Sequence, residues 1–178
     1  MIILDIETSW ANPYLHSIVS IWAIELENPD NQFYWECRIF DWSEIQDNAL
    51  EVNGFSREQI TDSNKQTVGE LITDFINWCE KIQNRTIGWH NVWYFDLRFL
   101  EENASRAWIN HNFWLLKWNY RTLDLHTIAY NYLIQNKLEI PFKNSEFSLS
   151  LDFILNLVWL PSEPKPHNAL NCAKYEAE

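Results

Sequence analysis

The sequence predicts an α/β domain in which a three-stranded antiparallel meander is extended by parallel strands and flanked by helices. Three observations predict it. The chain opens on an apolar run, Ile2-Ile3-Leu4-Asp5-Ile6-Glu7-Thr8, interrupted by acids at alternate positions in the manner of a strand. Two further strand-like runs follow, the second and third separated by a short polar turn, which is the pattern of a meander. Beyond residue 67, helical periodicities alternate with short apolar runs, and parallel strands joined by helical crossovers follow from that order.

In the first run, the two-residue period points Asp5 and Glu7 from the same face. Two acids on one face repel, and a fold that keeps them side by side normally needs a divalent cation to neutralise them. An Asp-x-Glu pair also suits a half-exposed edge strand, but Ile2, Ile3, Leu4 and Ile6 make this strand too apolar for the surface. A second strand is expected from His16 to Glu27 and a third from Gln32 to Phe40, joined by the turn Asn28-Pro29-Asp30-Asn31.

A short helical piece holding Ala49, Leu50 and Val52 precedes Asn53-Gly54, a turn signal. From Thr67 to Ile82, Val68, Leu71, Ile72, Phe75, Ile76 and Cys79 recur at spacings of three and four, which predicts an amphipathic helix. Thr86 to Trp89 reads as a short buried strand. The stripe Phe95, Phe99, Leu100 then places Asp96 near the start of a helix that leaves a strand. Arg121 to Leu125 is another short strand, running into a helix near Thr127 to Gln135, and Ser148 to Leu160 is a further helix. Pro161, Pro164 and Pro166 break the chain before a last helix from Asn168 onward. Polar sites of such sheets lie at the carboxyl ends of the strands, so Asp96 is expected beside Asp5 and Glu7.

The chain length of 178 residues and a hydrophobic content of 47% suit one domain over residues 1–178. Eleven Trp against three Gly suggest a core filled mostly by large rings. The net charge of -12 is poor for nonspecific wrapping of nucleic acid, which a basic footprint would serve, so any such contact is expected to be local and metal-assisted. Cys37, Cys79 and Cys172 are odd in number and widely spaced, as reduced thiols of a cytosolic protein would be. No apolar run is long enough to span a membrane and no charged-then-apolar leader precedes the first strand. The expectation is a soluble, cytoplasmic protein without a membrane partner.

Three segments carry a resemblance. Ile3-Leu4-Asp5-Ile6-Glu7-Thr8 resembles the first, Asn91-Val92-Trp93-Tyr94-Phe95-Asp96-Leu97 the second, and His167-Asn168-Ala169-Leu170-Asn171-Cys172-Ala173 the third motif of DnaQ-like DEDDh 3'-5' exonucleases. Ala49 to Ser56 is similar to the family's segment between the first two motifs. The order and separations of the motifs span nearly the whole chain. The resemblance implies a ribonuclease H-like fold and hydrolysis at the 3' end of single-stranded DNA or RNA with two divalent metal ions, Mg or Mn. Asp5 would bridge both ions, Glu7 would bind the first and Asp96 the second. His167 would be the general base toward the attacking water, a task that suits imidazole. Thr8 and Asn91 would lie where the family holds the terminal nucleotide, and Trp10 or Phe95 would stack on a base. A polymerase or another replication or repair partner is left unspecified.

Two departures accompany the likeness. The family's last acid, five residues after the histidine, is Cys172 here, and a soft thiol is a poor substitute for a carboxylate on Mg. Glu176 lies one helical turn further, about 5 Å along the axis. The stretch from Asn91 to Asp96 is one residue longer than the commonest form and resembles family B polymerase proofreading domains, whose third motif uses a tyrosine; Tyr175 is present. The surrounding Ala169, Leu170 and Ala173 favour His167. The expected activity is thus an exonuclease weakened by Cys172, and the alternative is a catalytically impaired nucleic-acid-binding module of the same fold. An unrelated acidic scaffold, its acids structural, is a third reading. His16, His90, His111 and His126 read as ordinary polar or helix-end residues, and Asp124 as a helix N-cap rather than a metal ligand.

Overall fold

The structure, a computed structural model, describes residues 1–109 and 121–162. Its elements in chain order are β1 (Ile2–Thr8), β2 (Ile18–Glu25), β3 (Asn28–Glu36), α1 (Asp47–Asn53), α2 (Arg57–Thr61), α3 (Val68–Cys79), β4 (Ile87–Trp89), α4 (Asp96–Arg106), β5 (Thr122–Asp124), α5 (Leu125–Gln135), β6 (Phe142–Lys143), β7 (Glu146–Phe147) and α6 (Leu151–Leu157). The main sheet has the order β3-β2-β1-β4-β5. The first three strands form the expected antiparallel meander, and β4 and β5 add to β1 in parallel. The α/β architecture is therefore the one the element order predicts.

The alternation in β1 sorts its side chains. Ile2, Leu4 and Ile6 enter the main core with Leu71 and Phe75 of α3 and Phe99 and Leu100 of α4. On the opposite face Ile3 packs with Trp22 and Ile24, and Asp5 and Glu7 are half-buried. Burying one Ile or Leu contributes about 1.5–3 kcal/mol, which anchors β1 as the central strand despite its two carboxylates. Helix α3 is set by a capping box in which Thr67 and Glu70 satisfy each other's backbone amides. Gly54, at φ 74°, ends α1 in the left-handed conformation that the Asn53-Gly54 signal predicts.

Several boundaries differ from expectation. The hairpin turn falls at Leu26-Glu27, and Asn28 already pairs with Glu25. The pairing then slips before Ile24 meets Gln32, so Pro29, Asp30 and Asn31 form a bulge in β3 rather than the turn. Asn31 holds that bulge, donating to the Glu25 carboxylate at 2.8 Å and accepting from the Trp78 indole at 2.9 Å. β2 begins only at Ile18, whose amide donates to the buried Asn103 side chain at 3.1 Å. β3 ends at Glu36 rather than Phe40. The helix expected from Ser148 to Leu160 shortens to α6, with Ser150 as its cap.

Two elements went unforeseen. Helix α2 is five residues long and carries its own capping box, Ser56 with Gln59. The hairpin of β6 and β7 turns on Asn144 and Ser145, both at positive φ, as a tight two-residue turn requires.

The tryptophans correct the expected ring-filled core. Trp22 is buried, whereas Trp35, Trp42, Trp93, Trp108 and Trp159 are exposed, and the core is built from Ile, Leu and Phe. So large a ring is seldom enclosed completely. Cys37 and Cys79 are buried free thiols, and burial pushes both well above the usual thiol range. Among the described residues no helix is long and apolar enough to cross a membrane. The final helix expected from Asn168 lies outside the described residues.

Candidate functional site

Where β1 runs on past the carboxyl end of β4, a cleft of about 360 Å³ is lined by Asp5, Glu7, Asp96, His90, Asn91 and Phe95, with Ile6, Val52, Trp89, Tyr94 and Leu151 completing its walls. The pairing of β1 with β4 runs only through Ile2 with Ile87 and Ile3 with Gly88. β1 itself runs on to Thr8, past the end of β4 at Trp89. The Ile6 amide donates to the Asp96 carboxylate at 3.1 Å, so Asp96 is pinned to the backbone between the two acids of β1.

The chain reaches Asp96 through a turn that begins after β4. Asn91 adopts φ 56°, a left-handed conformation that Asn tolerates better than most residues, and its carbonyl accepts the amides of Tyr94 and Phe95, each at 3.0 Å. Helix α4 then starts with Asp96 in its first turn and no side-chain cap. A carboxylate there is favoured by the helix dipole but is only 3% exposed. Burial, and next the Asp5 carboxylate, push the Asp96 carboxyl well above the usual carboxylate range; Asp124 adds to this, while its own amide and that of Ile6 oppose it. At the Glu7–Thr8 step the β1–β2 ladder also slips, a bulge that bends the strand beside the acids.

A buried acid next to a second acid is relieved by a proton or by a cation. The donors at the cleft are carboxylate oxygens, which fit a hard divalent ion. Among the described residues, no group of three or more His, Cys, Asp and Glu side chains is gathered around one point ready to hold a metal ion. One oxygen of Asp96 is committed to the Ile6 amide.

Five of the residues named from sequence, Asp5, Glu7, Asn91, Phe95 and Asp96, thus share one cleft. Thr8 and Trp10 do not line it. The Thr8 hydroxyl is buried and donates to the Trp10 carbonyl at 2.7 Å, and the Trp10 ring is 40% exposed. Phe95 rests on Phe99, with ring centroids 5.0 Å apart. His167 and Cys172 lie outside the described residues, as do His111, Tyr175 and Glu176.

His90 corrects its reading as an ordinary polar residue, because it lines the cleft beside the acids. Its Nε2 lies 2.7 Å from the Leu149 carbonyl, to which it donates, leaving Nδ1 facing the Asn91 amide at 3.4 Å. Its place directly after the parallel strand β4 was the signal that marks it. Asp124 is the N-cap of α5, as expected, accepting from the His126 amide at 2.9 Å. Burial, then the neighbouring His90, lower the pKa of His126 against the opposing pull of Asp124. His16 is buried, with its Nδ1 2.9 Å from the Asn12 carbonyl.

No family model matches the chain. It is 29% identical over 108 residues to the PolC-type DNA polymerase III of Thermotoga petrophila, a match that takes in 61% of this chain and 7% of that polymerase. Among solved structures, E. coli exonuclease I in complex with a dT13 oligonucleotide superposes with a TM-score of 0.75 at 15% identity, covering 99% of this chain and 38% of that one. The zinc-bound form of the E. coli enzyme with single-stranded DNA gives a TM-score of 0.75 at 14% identity, again over 99% of this chain and 38% of that one. The chain spans well under half the length of each of these three proteins. With its meander, its two added parallel strands and this likeness, the chain has the ribonuclease H-like α/β fold that exonuclease I also adopts.

Proposed function

We propose that this chain is a metal-dependent 3'-5' exonuclease domain that releases nucleotides from the 3' end of single-stranded DNA or RNA. The observation that carries the reading is Asp96, a buried carboxyl held on the Ile6 amide between Asp5 and Glu7 at the head of a cleft. An acid so placed costs stability unless a cation answers it, and such arrangements concentrate at functional sites. The fold likeness to exonuclease I, crystallised with dT13 and dA16 oligonucleotides, supports the same reading.

Asp5 and Glu7 from β1 and Asp96 from α4 would hold two divalent ions, Mg or Mn. Such ions, when bound, supply positive charge to the attacked phosphate and the departing oxygen. The protein's own part is positioning. The Ile6 amide fixes the Asp96 carboxylate, and the Asn91 turn sets Phe95 on the wall of the cleft, where its ring can pack on a terminal nucleotide. His167 takes the proton from the attacking water in this scheme. Cys172, at the place of the family's last acid, offers no hard oxygen and weakens the reaction.

A second reading, a binding module of the same fold, draws on that same Cys172. Single-stranded DNA and RNA labelled at the 5' end, incubated with Mg or Mn, separate the two. Exonuclease action gives a ladder that shortens from the 3' end, disappears with chelator and is absent for Asp96→Asn. Strands that are bound but returned intact in both metals favour the binding module.

A further inference from the structure

We infer that the rings of His90, His126, Phe147 and Tyr130 form a platform on which the nucleobases of a single strand lie as it leaves the acid cleft. This rests on the exonuclease reading and extends it to the nucleotides upstream of the one removed. The rings follow one another, each tilted against the next. His90, on the cleft wall, lies 5.7 Å from His126 between centroids; His126 lies 5.2 Å from Phe147, and Phe147 5.1 Å from Tyr130. Three segments assemble them, the first being His90 directly after β4. His126 and Tyr130 are four residues apart on α5 and share a face, and the tight β6–β7 hairpin lays Phe147 across both.

The outer rings remain open to solvent, with Tyr130 at 38% and Phe147 at 45% exposed, and Phe142, paired with Phe147 across the hairpin, at 70%. Folding alone does not account for a row of half-exposed aromatic rings that begins at a candidate active site.

Continuity with the acid cleft, which His90 also lines, selects the occupant. With a net charge of -12, the protein is poorly suited to hold a polyanion through phosphate neutralisation. Stacking on ring faces is the remaining source of affinity, and it tolerates any base sequence because every base has a π-face. Burial, then the neighbouring His90, lower the pKa of His126, which favours the neutral ring. The platform therefore fits unpaired bases and predicts binding less sensitive to salt than a basic groove gives.

The test is fluorescence anisotropy, in chelator, with a labelled thymidine dodecamer and with an abasic strand of the same length. The parent should bind the thymidine strand at least tenfold more tightly than the abasic one. Phe147→Ala and Tyr130→Ala should each weaken thymidine binding about 10- to 100-fold, and Phe147→Trp should restore it. Trp35→Ala, an exposed ring on the distant β3, is the control and should bind as the parent does. Equal binding of the two strands by the parent, or undiminished binding by Phe147→Ala, overturns the platform. So does sedimentation of the parent as a dimer that Phe147→Ala converts to a monomer, since the rings would then face a second protein. Cleavage of a thymidine dinucleotide by the parent tests the underlying reading separately. Where dinucleotide is cleaved and Phe147→Ala binds normally, only the platform falls; where the parent neither binds nor cleaves any strand, both fall.

Discussion

Replacing Asp96 with Asn should stabilise the metal-free protein at alkaline pH while removing its response to metal. The substitution keeps an oxygen for the Ile6 amide, now 3.1 Å away, and removes the charge from a site only 3% exposed. Burial and Asp5 raise the folded pKa of Asp96 above that of the unfolded chain. The stabilising contribution of its proton is therefore complete below the unfolded carboxylate pKa, near 3.9, and is lost as pH rises through the raised folded value. Two like charges in near contact repel by up to about 4 kcal/mol at an effective dielectric of about 20. Charge-assisted hydrogen bonds of the ionised form return about 1.5–3 kcal/mol of that. The net gain expected for Asn is on the order of 1–2 kcal/mol at pH 8, or roughly 2–8 °C in Tm for a domain of this size. Thermal unfolding in chelator at pH 4 and pH 8 measures it: the gain should be large at pH 8 and small at pH 4. Added Mn should raise the Tm of the parent and leave the variant unchanged. An Asn variant that melts below the parent at pH 8, or differs equally at both pH values, refutes the account of Asp96.

Asp5→Asn should abolish Mn-dependent cleavage and leave far-UV circular dichroism unchanged; a variant that digests strands as fast as the parent shows that Asp5 holds no ion. Cys172→Asp should raise the Mg-supported rate by about 10- to 1000-fold, because restoring one charged ligand is worth a few kcal/mol, with a smaller gain in Mn. No gain at saturating Mg means that position 172 is not the missing ligand. His167→Gln should lower kcat by about 10²- to 10⁴-fold and flatten the acid limb of the pH profile, the mark of a lost general base. A parallel loss at every pH would speak instead for a positioning role.

What was legible in the sequence was set by local pattern. The alternation of Ile2, Leu4 and Ile6 with Asp5 and Glu7 defines both β1 and its acid face, and the stripe of Phe99 and Leu100 sets the start of α4 at Asp96. Asp124 before an apolar helix was enough to mark an N-cap. The misread features depend on partners far along the chain. The bulge at Pro29 exists because Asn31 meets Trp78 from α3, so turn-forming residues serve a strand instead. His90 belongs to the cleft because β4 runs parallel beside β1 and because its ring reaches the Leu149 carbonyl, 59 residues away. The tryptophans look like core by hydrophobicity, yet Ile, Leu and Phe occupy the space between sheet and helices and leave most of the described tryptophan rings at the surface.

Removal of nucleotides from a free 3' end by the acids of β1 and α4, as proposed, is measured by mass analysis of the products from two single strands of one sequence, one with a free 3' hydroxyl and one with a blocked 3' end, each incubated with the protein and Mn. Mononucleotides are expected from the free end alone, none in the presence of chelator and none from the Asp96→Asn variant. Products released equally from the blocked strand, or undiminished in chelator, would contradict it.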